Sequence, residues 1–260
     1  MINYLNNLKK YKPLLSELVI RNIKVRYRKS ILGVFWTLLN PLLMMVVLSV
    51  VFSNIFKFDV ANYPVYILSG QVIFNFFSEA TSDSMRSILA NAPLIKKVYV
   101  PKYMFTFSSI VSSIINVMAS FAALIIVMIF MQNQLYWTML LSFLPLIILF
   151  IFSSGIGLML ASFVVKFRDI EHFYGVFLTA LMYLMPVIYP ISIVQQVPVV
   201  CEIVTYNPLT IMLNMFRDLV MNGTMPDPIS FVSMLVLAIV IFVLGMFVFY
   251  KKQDTFIMDL

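Results

Sequence analysis

Apolar residues run in long blocks along this chain, and short polar stretches punctuate them. The block 31–56 contains no Asp, Glu, Lys or Arg. As a helix it is roughly 39 Å long, enough to cross a hydrocarbon core of about 30 Å with some tilt. Comparable blocks predict spanning helices over about 104–131, 138–165, 173–190 and 229–250. Trp36, Tyr136 and Trp137 fall near block ends, the level that suits amphipathic rings. Residues 63–77 are apolar and aromatic, but fifteen residues make too short a span. Glu79, Asp83 and Arg86 follow on one helical face. Either this segment is re-entrant, or it spans over about 63–90 with its polar half shielded by protein.

Positive charge decides between the two. With six crossings and both termini inside, 16 of the 18 Lys and Arg lie on the cytoplasmic side, against Lys57 and Arg217 outside. If 63–90 does not cross, the split becomes nine and nine. Cations gather on the cytoplasmic side of membrane proteins, so six spans are expected.

Between and before the spans, the pattern predicts shorter elements. Residues 13–29 read as an amphipathic helix lying on the membrane surface. Glu17, Arg21, Lys24 and Arg28 share a sector of about 60°, and Leu15, Leu18, Val19 and Ile23 lie opposite. Arg26 breaks the pattern by projecting from the apolar face. That is snorkelling, an early helix end, or a cation aimed at an anionic lipid group. The loop 91–103 brackets a basic turn between Pro93 and Pro101. Ser108, Ser112, Asn116 and Ser120 form a small polar stripe, and Ser153, Gly157 and Ala161 a small-residue stripe, both suited to close helix packing. Residues 191–228 hold Pro198, Pro208, Pro226 and Pro228, and are expected to fold as two short helices, about 193–204 and 209–221, at the outer face.

Composition narrows the function. The chain is 62% hydrophobic and 11% charged, where soluble domains run nearer 25% charged, so an integral membrane protein is expected. Its net charge of +7 lies largely beside the first apolar block, which points to anionic lipid and not to nucleic acid. Residues 1–30 lack the short apolar core and small residues of a cleavable signal. Cys201 is alone, so no internal disulfide and no metal-ligand spacing is expected. The phosphate-binding Gly-x-x-x-x-Gly-Lys-Ser/Thr is missing from the sequence, as are His-Glu-x-x-His and Gly-x-Ser-x-Gly. His172 reads as a loop residue among Arg168, Asp169 and Glu171. The chain can form a path but carries no motor of its own, so energy must enter through a cytoplasmic surface. The loop 93–102 is the first docking candidate and the helix 13–29 the second.

Five stretches carry a resemblance. Arg21, Lys24, Arg26, Tyr27, Ser30, Leu32, Gly33, Trp36, Leu39, Pro41 and Leu42 resemble the opening of the permease subunit of ABC exporters for lipid-linked cell-surface polysaccharides. The run 94–102 is similar to the coupling-helix region of those permeases, and 167–170 to their short internal loop. The runs 186–190 and 207–209, with Arg217 and Gly223, resemble their external re-entrant helices.

The resemblance implies one all-α integral membrane permease domain over 1–260: six transmembrane helices, an N-terminal amphipathic interfacial helix and two short external re-entrant helices over about 193–221. It implies a homodimer in the cytoplasmic (inner) membrane, paired with two ATP-binding subunits that hold the ATP and magnesium. The chain itself is expected to have no cofactor, no metal and no catalytic residue. The substrate implied is a polyprenyl-diphosphate-linked glycan such as O-antigen or teichoic acid. Pro93, Leu94, Ile95, Lys96, Lys97, Tyr99, Pro101 and Lys102 are the expected ATPase-coupling residues. Arg21, Arg26 and Arg28 suit head-group entry, because guanidinium forks match phosphate oxygens. Tyr66, Phe74, Phe77, Tyr183 and Tyr189 are the expected conduit aromatics, and Pro190, Asn207, Pro208 and Arg217 the outer gate. A permease of the same fold for a small drug or bare lipid is the alternative, followed by a membrane enzyme acting on lipid-linked sugars.

Overall fold

The computed structural model describes residues 11–28, 30–54, 60, 62–97 and 100–256. These residues form helices and connecting turns, with no strand among them. Helix α1 is Lys12–Tyr27. A tight turn at Gly33–Phe35 leads into α2, Trp36–Asn54. Then come α3 (Tyr63–Ala90), the one-turn α4 (Ala92–Ile95) and α5 (Tyr103–Phe130). A 3₁₀ turn at Trp137–Ser142 opens α6, Phe143–Val164. Helix α7 is Ile170–Leu184, α8 Pro198–Tyr206 and α9 Pro208–Arg217, the last continued by a π turn over Asp218–Asn222. Helix α10 is Pro228–Lys252.

Among the described residues, four helical stretches are long and apolar enough to cross a membrane: Gly33–Phe52, Tyr103–Phe130, Trp137–Val164 and Pro228–Lys252. The bent pair α8 and α9 brings the number to five if it counts as one span. Helix α3 has the length but carries Glu79, Asp83 and Arg86 in its second half. It tolerates them because it is the centre of the body. It packs on α5 and α6, touches α2 and α9, and buries eighteen of its 28 residues. Helix α6 packs in turn on α10, and α1 lies along α5.

The closest approach joins α6 to α10. A Cβ on Gly245 would stand 2.3 Å from the Gly155 carbonyl oxygen, and one on Gly155 would stand 2.5 Å from that of Ile241. The small-residue stripe faces α3: a Cβ on Gly157 would meet Ser84 Cβ at 2.7 Å.

Two expectations on the helices need correction. The fifth apolar block does not run helically over 173–190. Helix α7 starts earlier, at Ile170, and stops at Leu184 after 15 residues. Pro186 forces the residue before it away from helical geometry, and Met185 is extended at φ −87°, ψ 142°. Helix α1 does not hold all its cations on an outward face. Arg21 and Asn22 turn toward the body, while Lys24 and Arg28 face outward.

A second, smaller core gathers Leu18 of α1, Ile88 of α3, Ile95 of α4, Tyr103 and Phe105 of α5, Leu158 of α6 with Val165 just after it, and Phe249 of α10 with Phe256 beyond its end. It marks one end of the bundle. Lys96, Lys97, Lys102, Lys166, Lys251 and Lys252 lie at this basic end. Helix α9 and the 185–190 loop lie at the other end of α3, and α8 packs on α9.

Candidate functional site: two polar clusters on one helix

At the basic end, α1, α3 and α5 line a chamber of about 530 Å³, open on one side, whose walls include Arg21, Arg26, Asp83, Arg86 and Asn116. The charges around it are matched. Glu79 and Asp83 lie one turn apart on α3, and Arg26 reaches across from α1 with Nη1 donating to Glu79 and Nη2 to Asp83. Asn116 Nδ2 donates to the same Glu79. Arg86 Nε donates to Glu171 at 2.6 Å, tying α3 to the first turn of α7. Asp83 therefore does not pair with Arg86, although one turn separates them on α3. The Arg26 guanidinium and its carboxylates are about a quarter to a third exposed (33%, 23% and 31%). Such pairs are screened by water and hold positions more than they add stability.

Arg21 works one turn earlier on α1. Its Nη2 donates to Asn91 Oδ1 at 2.5 Å and to Asn22 Oδ1 at 3.1 Å. Asn22 Nδ2 reaches Ser108 Oγ at 3.5 Å, and Tyr27 OH lies 3.4 Å from Asn116 Oδ1. The polar stripe of α5 thus packs against α1 and α3. Arg28 is exposed at the end of α1. Of the three expected head-group cations, two are engaged by neighbouring side chains.

The basic turn after α3 divides into an anchored side and an outward side. Ile95 is buried and Leu94 partly so. Pro93, Lys96 and Lys97 face outward, while Pro101 is half-buried and Tyr99 lies outside the described residues. Lys102 does not face outward with them. Its Nζ donates to the Gln253 carbonyl and sits 5.7 Å from the Phe256 ring centre. Burial pulls its ammonium below the usual value, against the nearby Asp254.

The far end of α3 holds the second cluster. Arg217 is 7% exposed. Its Nε donates to Ser69 Oγ at 3.1 Å, Nη1 to the Pro186 carbonyl at 2.8 Å and Nη2 to the Tyr66 carbonyl at 3.1 Å. The guanidinium lies 3.6 Å above the Tyr66 ring. Tyr66 OH donates to the carbonyls of Pro186 and Tyr189, and Tyr63 OH to that of Ile188. The carbonyls freed where Pro186 ends α7 are thereby answered by tyrosines of α3. Asn207 caps α9, its Oδ1 accepting from Leu209 N–H at 3.0 Å, with Pro208 at the first helical position. Pro190 opens the turn at Ile191–Gln196.

The five expected conduit aromatics separate. Phe74 and Phe77 are core residues, 8% and 2% exposed, with Phe77 against Phe152. Tyr66 serves Arg217. Tyr183 is 66% exposed on α7, and Tyr189 OH donates to its carbonyl. Sequence reasoning missed Asn91, and it also missed Glu79 and Asp83 as the partners of Arg26. The signal for the pair was two carboxylates one turn apart in an apolar helix, which requires a cation facing them from another element.

Comparison with known proteins identifies the family. The chain is 28% identical over 248 residues to the O-antigen export system permease protein RfbA of Klebsiella pneumoniae, covering 94% of this chain and 93% of that protein. It is 25% identical over 256 residues to the RfbA permease of Myxococcus xanthus, covering 98% of each. It is 24% identical over 250 residues to the polysialic acid transport protein KpsM of Escherichia coli, covering 94% of this chain and 95% of that protein. Residues 13–221 match the family model of the ABC-2 type transporter, and the chain belongs to that family.

Proposed function

We propose that this chain is the transmembrane subunit of an ATP-driven exporter that carries a lipid-linked cell-surface polysaccharide, of the O-antigen or teichoic acid kind, across the cytoplasmic membrane. The observation that carries this reading is its end-to-end similarity to three proteins whose names specify O-antigen export or polysialic acid transport. The chain works as a homodimer with two ATP-binding subunits. It crosses six times, through α2, α3, α5, α6, α7 and α10, with both termini inside. Helix α7 is too short to cross alone and is completed by the extended 185–190 segment, while α8 and α9, bent by 71°, dip in from outside. The distribution of lysine and arginine supports this orientation.

The ATP-binding subunit docks on Pro93, Lys96 and Lys97, with Ile95 anchoring the turn. The diphosphate approaches from the inner leaflet past Arg28 and competes with Glu79 and Asp83 for Arg26. The glycan slides past Tyr183 and Tyr189, since aromatic faces suit the apolar faces of sugars. Pro190, Asn207, Pro208 and Arg217 hold the outer seal.

The test is a strain lacking its own copy and supplied with the chain or with Lys96→Glu, Lys97→Glu. The wild-type chain restores surface polysaccharide and co-purifies with the ATP-binding subunit, and the variant does neither. A variant that retains both removes the docking site. A wild-type chain that leaves surface polysaccharide absent while exporting a drug or bare lipid overturns the substrate reading.

A further inference from the structure

Asn91 joins three elements. Its backbone carbonyl accepts the N–H groups of Leu94 and Ile95, both at 3.0 Å, which makes it the start of α4. Its Nδ2 donates to the Ser87 carbonyl at 2.7 Å, in the last turn of α3. Its Oδ1 accepts from Arg21 of α1. The residue is 7% exposed, so these bonds meet little competition from water. Helix α4 has four residues and no side-chain cap of its own, and isolated helices this short do not persist. Its orientation is therefore set by what holds Asn91 and Ile95.

Helix α1 touches both. Leu18 shares the small core with Ile95, and Arg21, three residues on, bonds Asn91. Five residues further, Arg26 holds the two carboxylates of α3 at the chamber. Helix α1 is thus a lever with the docking turn at one point and the chamber at another. A displaced α4 drags Arg21 with it or breaks the bond.

We propose that the Arg21–Asn91 hydrogen bond is the joint that passes movement of α4 to α1, and so converts ATP hydrolysis by the partner into opening of the chamber. Both are positioning residues. The inference rests on the coupling role given to α4 above. It goes beyond that role by naming the side chains that connect the docking turn to the substrate side.

Surface polysaccharide is measured by carbohydrate stain in cells lacking their own copy, and ATP hydrolysis is measured on the purified complex in lipid nanodiscs. Arg21→Ala, Asn91→Ala, the milder Asn91→Ser and the Arg21→Ala, Asn91→Ala pair are compared at equal complex yield. Each single alanine variant lowers polysaccharide exported per ATP hydrolysed by about ten-fold, the size expected for losing one charge-assisted hydrogen bond. The pair falls no further than either single variant, because both remove the same bond. Unchanged export per ATP in Arg21→Ala or Asn91→Ala overturns the proposal, as does a pair whose effects multiply. Loss of complex yield in all variants, Asn91→Ser included, also overturns it and reduces the contact to scaffolding. If Lys96→Glu, Lys97→Glu exports normally, the coupling role itself fails. If that variant is inactive and Arg21→Ala exports normally, the joint alone falls.

Discussion

Arg217 gives the sharpest test of how the far end of α3 is held. It is a buried cation whose partners are neutral: a hydroxyl, two carbonyls and a tyrosine ring. Arg217→Lys keeps the charge, and with it the cost of taking a cation out of water, several kcal/mol. A single ammonium cannot reproduce a three-way fork, so the variant loses about two charge-assisted bonds, each worth about 1.5–3 kcal/mol. Arg217→Met loses all three bonds but also removes the buried charge. The carbonyls it abandons keep other donors, Tyr66 OH at 3.1 Å for Pro186 and Ser69 Oγ at 2.7 Å for Tyr66. The conservative change is therefore expected to be the worse one, by about 3 kcal/mol or more for lysine against about 1–2 kcal/mol for methionine. At roughly 2–4 °C per kcal/mol for a chain of this size, lysine lowers the melting midpoint by roughly 6–12 °C and methionine by less. The assay is thermal loss of the monodisperse peak of the detergent-solubilised chain in size-exclusion chromatography. A lysine variant that melts with the wild type, or above the methionine variant, refutes the account of Arg217 as a fork that offsets its own burial.

Two further substitutions probe the packing and the chamber. Gly245→Ala puts a methyl group against the Gly155 carbonyl, and overpacking of this kind costs about 1–3 kcal/mol, so the monodisperse yield should fall. Gly175→Ala on α7, which meets open space, should leave that yield unchanged. Arg26→Ala leaves Glu79 and Asp83 facing each other one turn apart. Because the site is a quarter to a third exposed, the loss of stability is below about 1 kcal/mol, shrinks at high salt, and is recovered by adding Glu79→Gln and Asp83→Asn. A large, salt-independent loss in that melting series would mean the cluster is buried more deeply than its geometry indicates.

Much of the fold was legible because spanning segments announce themselves in composition. The starts of α3, α5 and α10 fall within a residue of the starts of the apolar blocks, since Tyr63, Tyr103 and Pro228 each open a helix where the polar run stops. Helix α7 was misread because its block continues apolar past Leu184. Hydropathy does not register that Pro186 imposes extended backbone on Met185. The partners in the two polar clusters were not legible either. Arg26 and Glu79 are 53 residues apart, and Arg217 and Ser69 are 148 apart. Periodicity orders residues within a helix and carries no information on which helix lies opposite.

The same reasoning explains why α3 looks least like a span while standing at the centre. A helix facing lipid has to be apolar on that face, as α2 and α10 are. A helix surrounded by protein is released from that demand and can carry polar groups wherever a neighbour answers them. On α3 these groups collect in two belts. Tyr63, Tyr66 and Ser69 answer the carbonyls after α7 and Arg217 of α9. Glu79, Asp83, Arg86 and Ser87 answer α1, α7 and Asn91. Between them Val72, Ile73, Phe76 and Phe77 are buried and apolar. The elements bound to the two belts are short: α1 and α4 on one side, held by polar contacts and by the small core around Leu18 and Ile95, and α9 on the other, held by Arg217 and by the buried Leu209, Met212, Leu213 and Phe216. The long helices α5, α6 and α10 are attached by extended apolar packing. The polar bonds at the two belts can exchange partners, whereas α5 and α6 can leave α3 only by separating packed apolar surface, so α3 and those two helices form the rigid part of the body.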